Sequence, residues 1–307
     1  MDSVNSPVDG TRIVYRTFPC VSGDEGAPTV LMSHGTALSQ AIWRGFGYVR
    51  ALTTTHRVIT VDLRGHGRSD GPHHETAYGM DAFVADIIAV LDEVIGSTAT
   101  TGRAPGDNRI SGPGQAPNAG PTASAQPIAG PGAEGPATVD YVGYSLGGRI
   151  GFSLAATHPE RLNRFVSIAG APGTDKGAFD RVFFPGCITA LREGGMDGFL
   201  TGWQHHTGTQ LDAATRHAFA ANDAQALAAY MSRSEDDPGV DDDTLERFTV
   251  PTQMIVGALD RERVSAAQHV REVLPSAQLL VVDGATHGSI LREPATLQAV
   301  TAFLAPA

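Results

Sequence analysis

The chain of 307 residues has little cysteine, no excess of positive charge and no long apolar run. Its two cysteines, Cys20 and Cys187, are too far apart for a Cys-x-x-Cys motif or a metal site, so we expect two free, buried thiols. The formal net charge of −11 argues against nucleic acid or an anionic membrane as a partner. No stretch reaches the ~20 apolar residues of a membrane helix. The first residues lack the basic and apolar regions of a signal peptide, which makes the cytoplasm the expected location.

Short apolar stretches alternate with amphipathic ones from residue 29 onward. The alternation predicts a mostly parallel sheet with helices on both faces, an α/β fold whose active site lies at the carboxyl ends of the strands. A turn signal at Asp9-Gly10 before another apolar stretch predicts that an antiparallel pair starts the sheet. The predicted strands are 11–18, 29–33, 57–61, 138–142, 164–169, 251–256 and 278–282. The predicted helices are about 40–52, 79–95, 146–157, 264–273 and 293–304.

Two segments interrupt this alternation. Residues 96–136 contain nine glycines and seven prolines, a composition that buries too little apolar surface to order a chain, so we predict a flexible surface insertion, with a lid or docking segment as the alternative. Residues 173–249 are rich in aromatic and aliphatic side chains and predict a small helical cap, inserted after the sixth strand. Its acidic end at 235–239 is expected to be a solvated hinge. Residues 1–172 and 250–307 would then form the core domain.

A Gly-x-Ser-x-Gly sequence at 143–147 follows the strand at 138–142 and precedes a helix. Such a turn exposes its serine, here Ser145, at a strained bend where the hydroxyl can attack a substrate. Gly143 and Gly147 suit the bend because strand and helix approach too closely for a Cβ. A serine hydroxyl becomes a good nucleophile only when a base removes its proton and a third group orients that base.

Candidates for the base and the orienting acid follow Ser145 in the chain. Asp260 comes after the strand at 251–256, and His287 lies in the loop after the last strand. Both positions are at the carboxyl ends of strands, where Ser145 is also expected. Asp175, beyond the strand at 164–169, is the alternative acid. Asp283 is nearer to His287 in sequence, but the glycine after it indicates a turn.

Several loops of the chain, taken together, resemble those of the α/β-hydrolase family. The nucleophile turn is the central one, and the others lie at the ends of predicted strands. The matching segments are 34–35, 62–69, 143–148, 257–260 and 284–287.

The resemblance implies that Ser145 is the nucleophile, that His287 is the general base and acid, and that Asp260 orients it. It also implies an oxyanion hole formed by the backbone N–H groups of Leu146 and Thr36. No cofactor is implied.

Histidines outside this set invite other interpretations. The adjacent pairs at 73–74 and 205–206 could suggest a metal site, but neighbouring histidines point in different directions and no cysteine or carboxylate lies at ligand spacing, so we expect no metal. His34 and His66 recur in loop motifs of the family, and we expect them to organise the loops.

A serine at 145 departs from the dehalogenase and epoxide-hydrolase branches of the family, whose nucleophile is a carboxylate. The expected reaction is therefore acyl transfer to water from a small molecule with an activated carbonyl: an ester, lactone, thioester or diketone. A carbon–carbon hydrolase or lyase is one alternative, because Gly-Tyr-Ser-Leu-Gly-Gly-Arg resembles the turn of a menaquinone-pathway lyase. A ligand-binding member with slow turnover is another. The apolar cap predicts a mostly apolar substrate of modest size.

Overall fold

The computed structural model describes residues 1–100 and 137–306. Eight strands form one sheet in the order β1-β2-β4-β3-β5-β6-β7-β8. The pairs β1–β2 and β2–β4 are antiparallel, and the other five pairs are parallel. The predicted opening pair and the mostly parallel sheet are thus confirmed. The strands are β1 (Asp2–Asn5), β2 (Arg12–Phe18), β3 (Thr29–Ser33), β4 (Arg57–Val61), β5 (Val139–Tyr144), β6 (Leu162–Ile168), β7 (Thr252–Gly257) and β8 (Gln278–Val282).

Helices cover both faces of the sheet, as predicted. The helices of the core are α1 (Ala41–Gly45), α2 (Tyr48–Leu52), α3 (Met80–Thr100), α4 (Leu146–Thr157), α10 (Arg261–Val273) and α11 (Pro294–Phe303). Alternate side chains of one strand enter different cores, as the pleat requires. Leu31 of β3 packs in a core with Phe83 of α3, whereas Met32 packs in a second core with Leu52 of α2 and Val300 of α11.

The helix predicted over 40–52 is wrong as a single element. Two short helices, α1 and α2, replace it, and Gly47 between them has a φ of 85°. A residue in the left-handed region cannot continue a right-handed helix, and glycine occupies that region without steric cost. The chain therefore turns at Gly47.

The predicted insertion at 96–136 begins differently from expectation. Helix α3 runs on to Thr100, so the first five positions of that segment are helical. The rest of the predicted insertion, 101–136, lies outside the described residues.

A helical region is inserted between β6 and β7, as predicted. It contains α5 (Ala178–Val182), α6 (Cys187–Thr207), α7 (Ala213–Ala220), α8 (Ala224–Glu235) and α9 (Asp242–Leu245). Its aromatic side chains mostly face one another: the ring of Phe183 lies 5.1 Å from those of Phe199 and Trp203, and Phe219 packs on both. The boundaries of a separate cap domain at 173–249 remain a prediction.

The acidic segment at 235–239 is only partly solvated: the Asp236 side chain is 63% exposed, but Asp237 is packed. The Asp237 side chain is only 15% exposed, and its carboxylate forms an ion pair with the guanidinium of Arg149, with 3.2 Å between the oxygen and the nitrogen. Gly239 has a φ of 78°, and a Cβ there would lie 2.2 Å from the carbonyl oxygen of Pro172. Asp237 is packed because its charge has a buried partner, Arg149, which sequence composition does not reveal.

Among the described helices, none is both long enough and apolar enough to span a membrane.

Candidate active site

Ser145 stands at a tight bend between β5 and α4. Its φ and ψ are 53° and −110°, a strained conformation for a residue with a Cβ. A Cβ on Gly143 would lie 2.2 Å from the carbonyl oxygen of Gly147, and one on Gly147 would lie 2.3 Å from that of Ser33. Both glycines are therefore required by the close approach of helix and strand. The bend is held by a hydrogen bond from the Ser145 N–H to the carbonyl of Ile168, 2.9 Å long.

The structure brings Ser145, His287 and Asp260 together. The Nε2 atom of His287 lies 3.0 Å from the Ser145 hydroxyl oxygen, and its Nδ1 atom lies 2.6 Å from the Asp260 carboxylate. Asp260 lies three residues after the end of β7, and His287 lies in the loop after β8. Tyr144, next to Ser145, donates a hydrogen bond of 2.8 Å to the backbone carbonyl of His287. This bond ties the histidine loop to the serine turn.

The hydrogen bonds of His287 have a chemical direction. A carboxylate is only an acceptor, so Nδ1 must donate to Asp260, which leaves the lone pair of Nε2 to face the Ser145 hydroxyl when the ring is neutral. The Asp260 side chain is 12% exposed and that of His287 is 31% exposed. Water therefore competes little for the carboxylate, while the imidazole remains partly exposed.

The two alternative acids do not contact His287. The Asp175 side chain is 93% exposed and lies 3.9 Å from Arg181. Asp283 is exposed on the turn after β8. Of the three carboxylates considered from the sequence, Asp260 is the one placed against the imidazole.

Thr36 and Leu146, whose backbone N–H groups are the expected oxyanion-hole donors, both border the cavity at Ser145. Leu146 is the first residue of α4, where N–H groups have no acceptor within the helix. Within residues 1–100 and 137–306, neither amide has a hydrogen-bond acceptor. Gly35 lets the loop that carries Thr36 lie close to the nucleophile turn, because a Cβ at position 35 would lie 3.0 Å from the Cβ of Ser145. The Thr36 hydroxyl is anchored 3.1 Å from the phenol of Tyr230 on α8.

His34 and His66 organise the loops around this site, as predicted. His34 donates from Nδ1 to the carbonyl of Gly35 and accepts the Leu63 N–H at Nε2, at 2.8 and 3.1 Å. His66 donates from Nδ1 to the carbonyl of Arg64 at 2.9 Å. Burial, reinforced by the neighbouring His34, lowers the pKa of His66 to about 3. Both rings are therefore neutral hydrogen-bonding braces at neutral pH.

A cavity of about 40 Å³ lies directly over Ser145. It lies between the core and the inserted helices, which contribute Phe179, Val182 and Tyr230. The sequence suggested an apolar lining, but two arginines, Arg149 and Arg263, also border the cavity.

Arg149 connects the helix of the nucleophile to the inserted region. One terminal nitrogen donates to Thr174 and to the hydroxyl and carbonyl of Ser234, and the other donates to the Asp237 carbonyl at 2.8 Å. Burial lowers the pKa of this guanidinium. Sequence reasoning missed its role; the available signal was its position four residues after Ser145, one turn along the same face of α4.

The paired histidines of the sequence do not form a metal centre in the described part of the chain. His73 contacts Asp223 at 2.8 Å, and no group of three or more histidine, cysteine, aspartate or glutamate side chains with metal-binding geometry occurs among the described residues.

Comparison with solved structures supports the architecture. The enol-lactonase of Burkholderia xenovorans superposes with a TM-score of 0.71 at 20% identity, covering 97% of this chain and 98% of that one. An esterase of Exiguobacterium antarcticum superposes with a TM-score of 0.70 at 18% identity, covering 99% of each chain. At this identity the likeness concerns the fold.

Sequence relatives include one of similar length. A Bacillus subtilis protein named as a 2-succinyl-6-hydroxy-2,4-cyclohexadiene-1-carboxylate synthase is 22% identical, over 96% of this chain and 95% of its own length. Mouse epoxide hydrolase 4 is 37% identical over 98 residues, a match that covers 30% of this chain and only 27% of that protein. The profile of the alpha/beta hydrolase family matches residues 30–299. The chain belongs to the α/β-hydrolase family.

Proposed function

We propose that this protein is a serine hydrolase that cleaves a carboxylic ester or a lactone through an acyl-enzyme on Ser145. The observation that supports this most strongly is the continuous set of hydrogen bonds from the Ser145 hydroxyl through His287 to Asp260, at 3.0 and 2.6 Å. A hydroxyl, an imidazole and a carboxylate in this order are what nucleophilic acyl transfer requires.

In the first step the Ser145 oxygen attacks the substrate carbonyl while Nε2 of His287 takes the hydroxyl proton. The carbonyl π electrons move to oxygen, and a tetrahedral intermediate forms. When it collapses, His287 gives the same proton to the leaving alkoxide, so that an alcohol departs and an acyl ester of Ser145 remains. Asp260 stabilises the imidazolium through its 2.6 Å contact with Nδ1.

In the second step a water molecule replaces the alcohol. His287 removes a proton from the water, which attacks the acyl carbonyl, and then returns the proton to the Ser145 oxygen as the carboxylic acid leaves. The N–H groups of Leu146 and Thr36 would stabilise the negative oxygen in both steps. One such donor contributes about 3 kcal/mol to transition-state stabilisation.

A carbon–carbon hydrolase or lyase on the same residues is the second candidate. One observation favours it: the Bacillus subtilis relative named as a synthase spans 96% of this chain. Product analysis with a diketone separates the two candidates, since a cleaved carbon–carbon bond yields a ketone and an acid rather than an alcohol and an acid.

The test is turnover of a panel of 4-nitrophenyl esters and lactones by the wild type and by Ser145→Ala, with Ser276→Ala as the matched control. Ser276 is exposed before β8. We expect the first variant to lose turnover and keep its thermal unfolding temperature, and the control to match the wild type. Equal turnover by Ser145→Ala would contradict the proposal. A thermal shift with ligands but no turnover by the wild type would favour the slow ligand-binding alternative.

A further inference from the structure

A second, larger cavity lies beside the one over Ser145, between the inserted region and helix α10. Its volume is about 670 Å³, against about 40 Å³ for the cavity over the nucleophile. A space of about 40 Å³ holds little more than one water molecule, so the larger cavity is where the remainder of a substrate can lie. Ala171, Gly173, Ala178 and Arg263 border both cavities and so form the boundary between them.

The charged side chains around the larger cavity are almost all paired with one another. The Arg181 guanidinium lies 2.8 Å from Glu262 and 3.9 Å from Asp175. His269 lies 2.9 Å from Asp242. These contacts satisfy the three carboxylates and two of the basic groups that border the cavity.

Arg263 differs from them. It is half-buried on the first turn of α10, three residues after Asp260. Within the described part of the chain, no carboxylate lies within ion-pair distance of its guanidinium, and no group accepts a hydrogen bond from it. Of the described residues that border the cavity over Ser145, two are arginines and none is acidic. Arg149, the other arginine, is already bound to Ser234 and Asp237.

A half-buried guanidinium without a partner favours an anionic ligand. It has lost part of its hydration, and the planar group with its five N–H donors matches the geometry of a carboxylate. The protein as a whole, at a formal charge of −11, would repel anions. A local cationic lining next to the nucleophile is therefore a specific feature of this site rather than a consequence of overall charge.

We propose that the natural substrate carries an anionic group, such as a carboxylate, that Arg263 binds at the boundary of the two cavities while its reactive carbonyl lies over Ser145. This inference rests on the proposed hydrolase function, and it replaces the mostly apolar substrate that the sequence suggested. Arg263 is thus a residue that determines substrate specificity.

The test compares two aryl esters of equal chain length: mono-4-nitrophenyl glutarate, which carries a free carboxylate, and 4-nitrophenyl pentanoate, which is neutral. We expect the wild type to hydrolyse the glutarate ester with the higher kcat/KM. Arg263→Gln should lower kcat/KM for the glutarate ester about tenfold or more, as expected for a lost hydrogen bond to a charged group, and leave the pentanoate ester within about twofold. Arg263→Lys should retain part of the preference, since it keeps the charge and loses the fork of donors.

Arg261→Gln is the matched control. Arg261 is exposed on the same helix turn and borders neither cavity, so this variant removes an equal charge close to the site. It should keep the wild-type preference. An equal loss in Arg261→Gln and Arg263→Gln, an unchanged preference in Arg263→Gln, or a wild type that prefers the pentanoate ester would overturn the inference.

A second set of measurements distinguishes failure of the proposed hydrolase function from failure of the anion-binding inference. If the wild type hydrolyses neither ester and a serine-directed phosphonate does not label Ser145, the proposed function is contradicted. Calorimetric titration with glutarate then decides the inference by itself: binding that Arg263→Gln weakens supports the anion site, whereas equal or undetectable binding in both proteins overturns it.

Discussion

Asp260→Asn tests the orienting role of the carboxylate with the smallest change in shape. Asp260 accepts the Nδ1–H of His287 at 2.6 Å, and its side chain is only 12% exposed. An asparagine at 260 can turn its NH₂ group towards Nδ1 and donate, which shifts the imidazole proton to Nε2. That nitrogen then cannot accept the proton of Ser145.

The expected loss is large in activity and small in stability. Replacing the acid of such a triad by its amide lowers kcat by about 10⁴, which corresponds to about 5 kcal/mol of transition-state stabilisation. The free energy of unfolding should fall by only about 1 kcal/mol, because one hydrogen bond is exchanged for a weaker one. Hydrolysis of a 4-nitrophenyl ester gives the first quantity, and urea unfolding followed by tryptophan fluorescence gives the second.

Asp175→Asn is the informative comparison, since that residue is the alternative acid of the sequence. Its side chain is 93% exposed, and we expect kcat to change by less than about tenfold. Activity of Asp260→Asn within about tenfold of the wild type, or a loss confined to Asp175→Asn, would refute the assignment of Asp260 as the orienting acid.

Two other predictions concern the turn and the buried loop histidine. Gly143→Ala should abolish folding or activity, because the new Cβ would lie 2.2 Å from the backbone oxygen of Gly147; a soluble, fully active variant would contradict this. Burial lowers the pKa of His66 to about 3 from an ordinary value of about 6.5. Between these two pH values the unfolded chain carries a proton on His66 and the folded chain does not, so lowering the pH favours unfolding. His66 alone should therefore reduce the free energy of unfolding by about 2 kcal/mol from pH 7 to pH 5. Urea unfolding should show a shallower decrease in His66→Gln, and an equal decrease would exclude this cause.

The core of the fold could be predicted because its signals are local. Strands β3, β4 and β8 and helix α4 begin and end at the predicted residues, since apolar runs bounded by turn residues need little tertiary context. The helix predicted at 40–52 failed at Gly47, whose left-handed conformation was not recognised. Propensity alone does not show where a chain must turn to let two helices pack.

Some residues of the candidate site could also be predicted from the sequence, and others could not. Ser145, Asp260 and His287 could be found because each lies in a motif at the end of a strand, and parallel strands bring those ends to one edge of the sheet. The position of Arg149 one turn after Ser145 was a signal, but the roles of Arg149 and Arg263 could not be predicted, because they depend on which partners the inserted helices supply. Asp237 neutralises the first, whereas the described structure supplies no carboxylate to the second.

The most direct measurement of the central claim is the site of covalent labelling by an aryl phosphonate, determined by intact mass and peptide mapping. The account predicts a single adduct on the peptide that contains Ser145, absent in Ser145→Ala and strongly slowed in His287→Ala, since the hydroxyl then lacks its base. An adduct on a different residue, or a Ser145 that stays unlabelled in protein that hydrolyses esters, would contradict it.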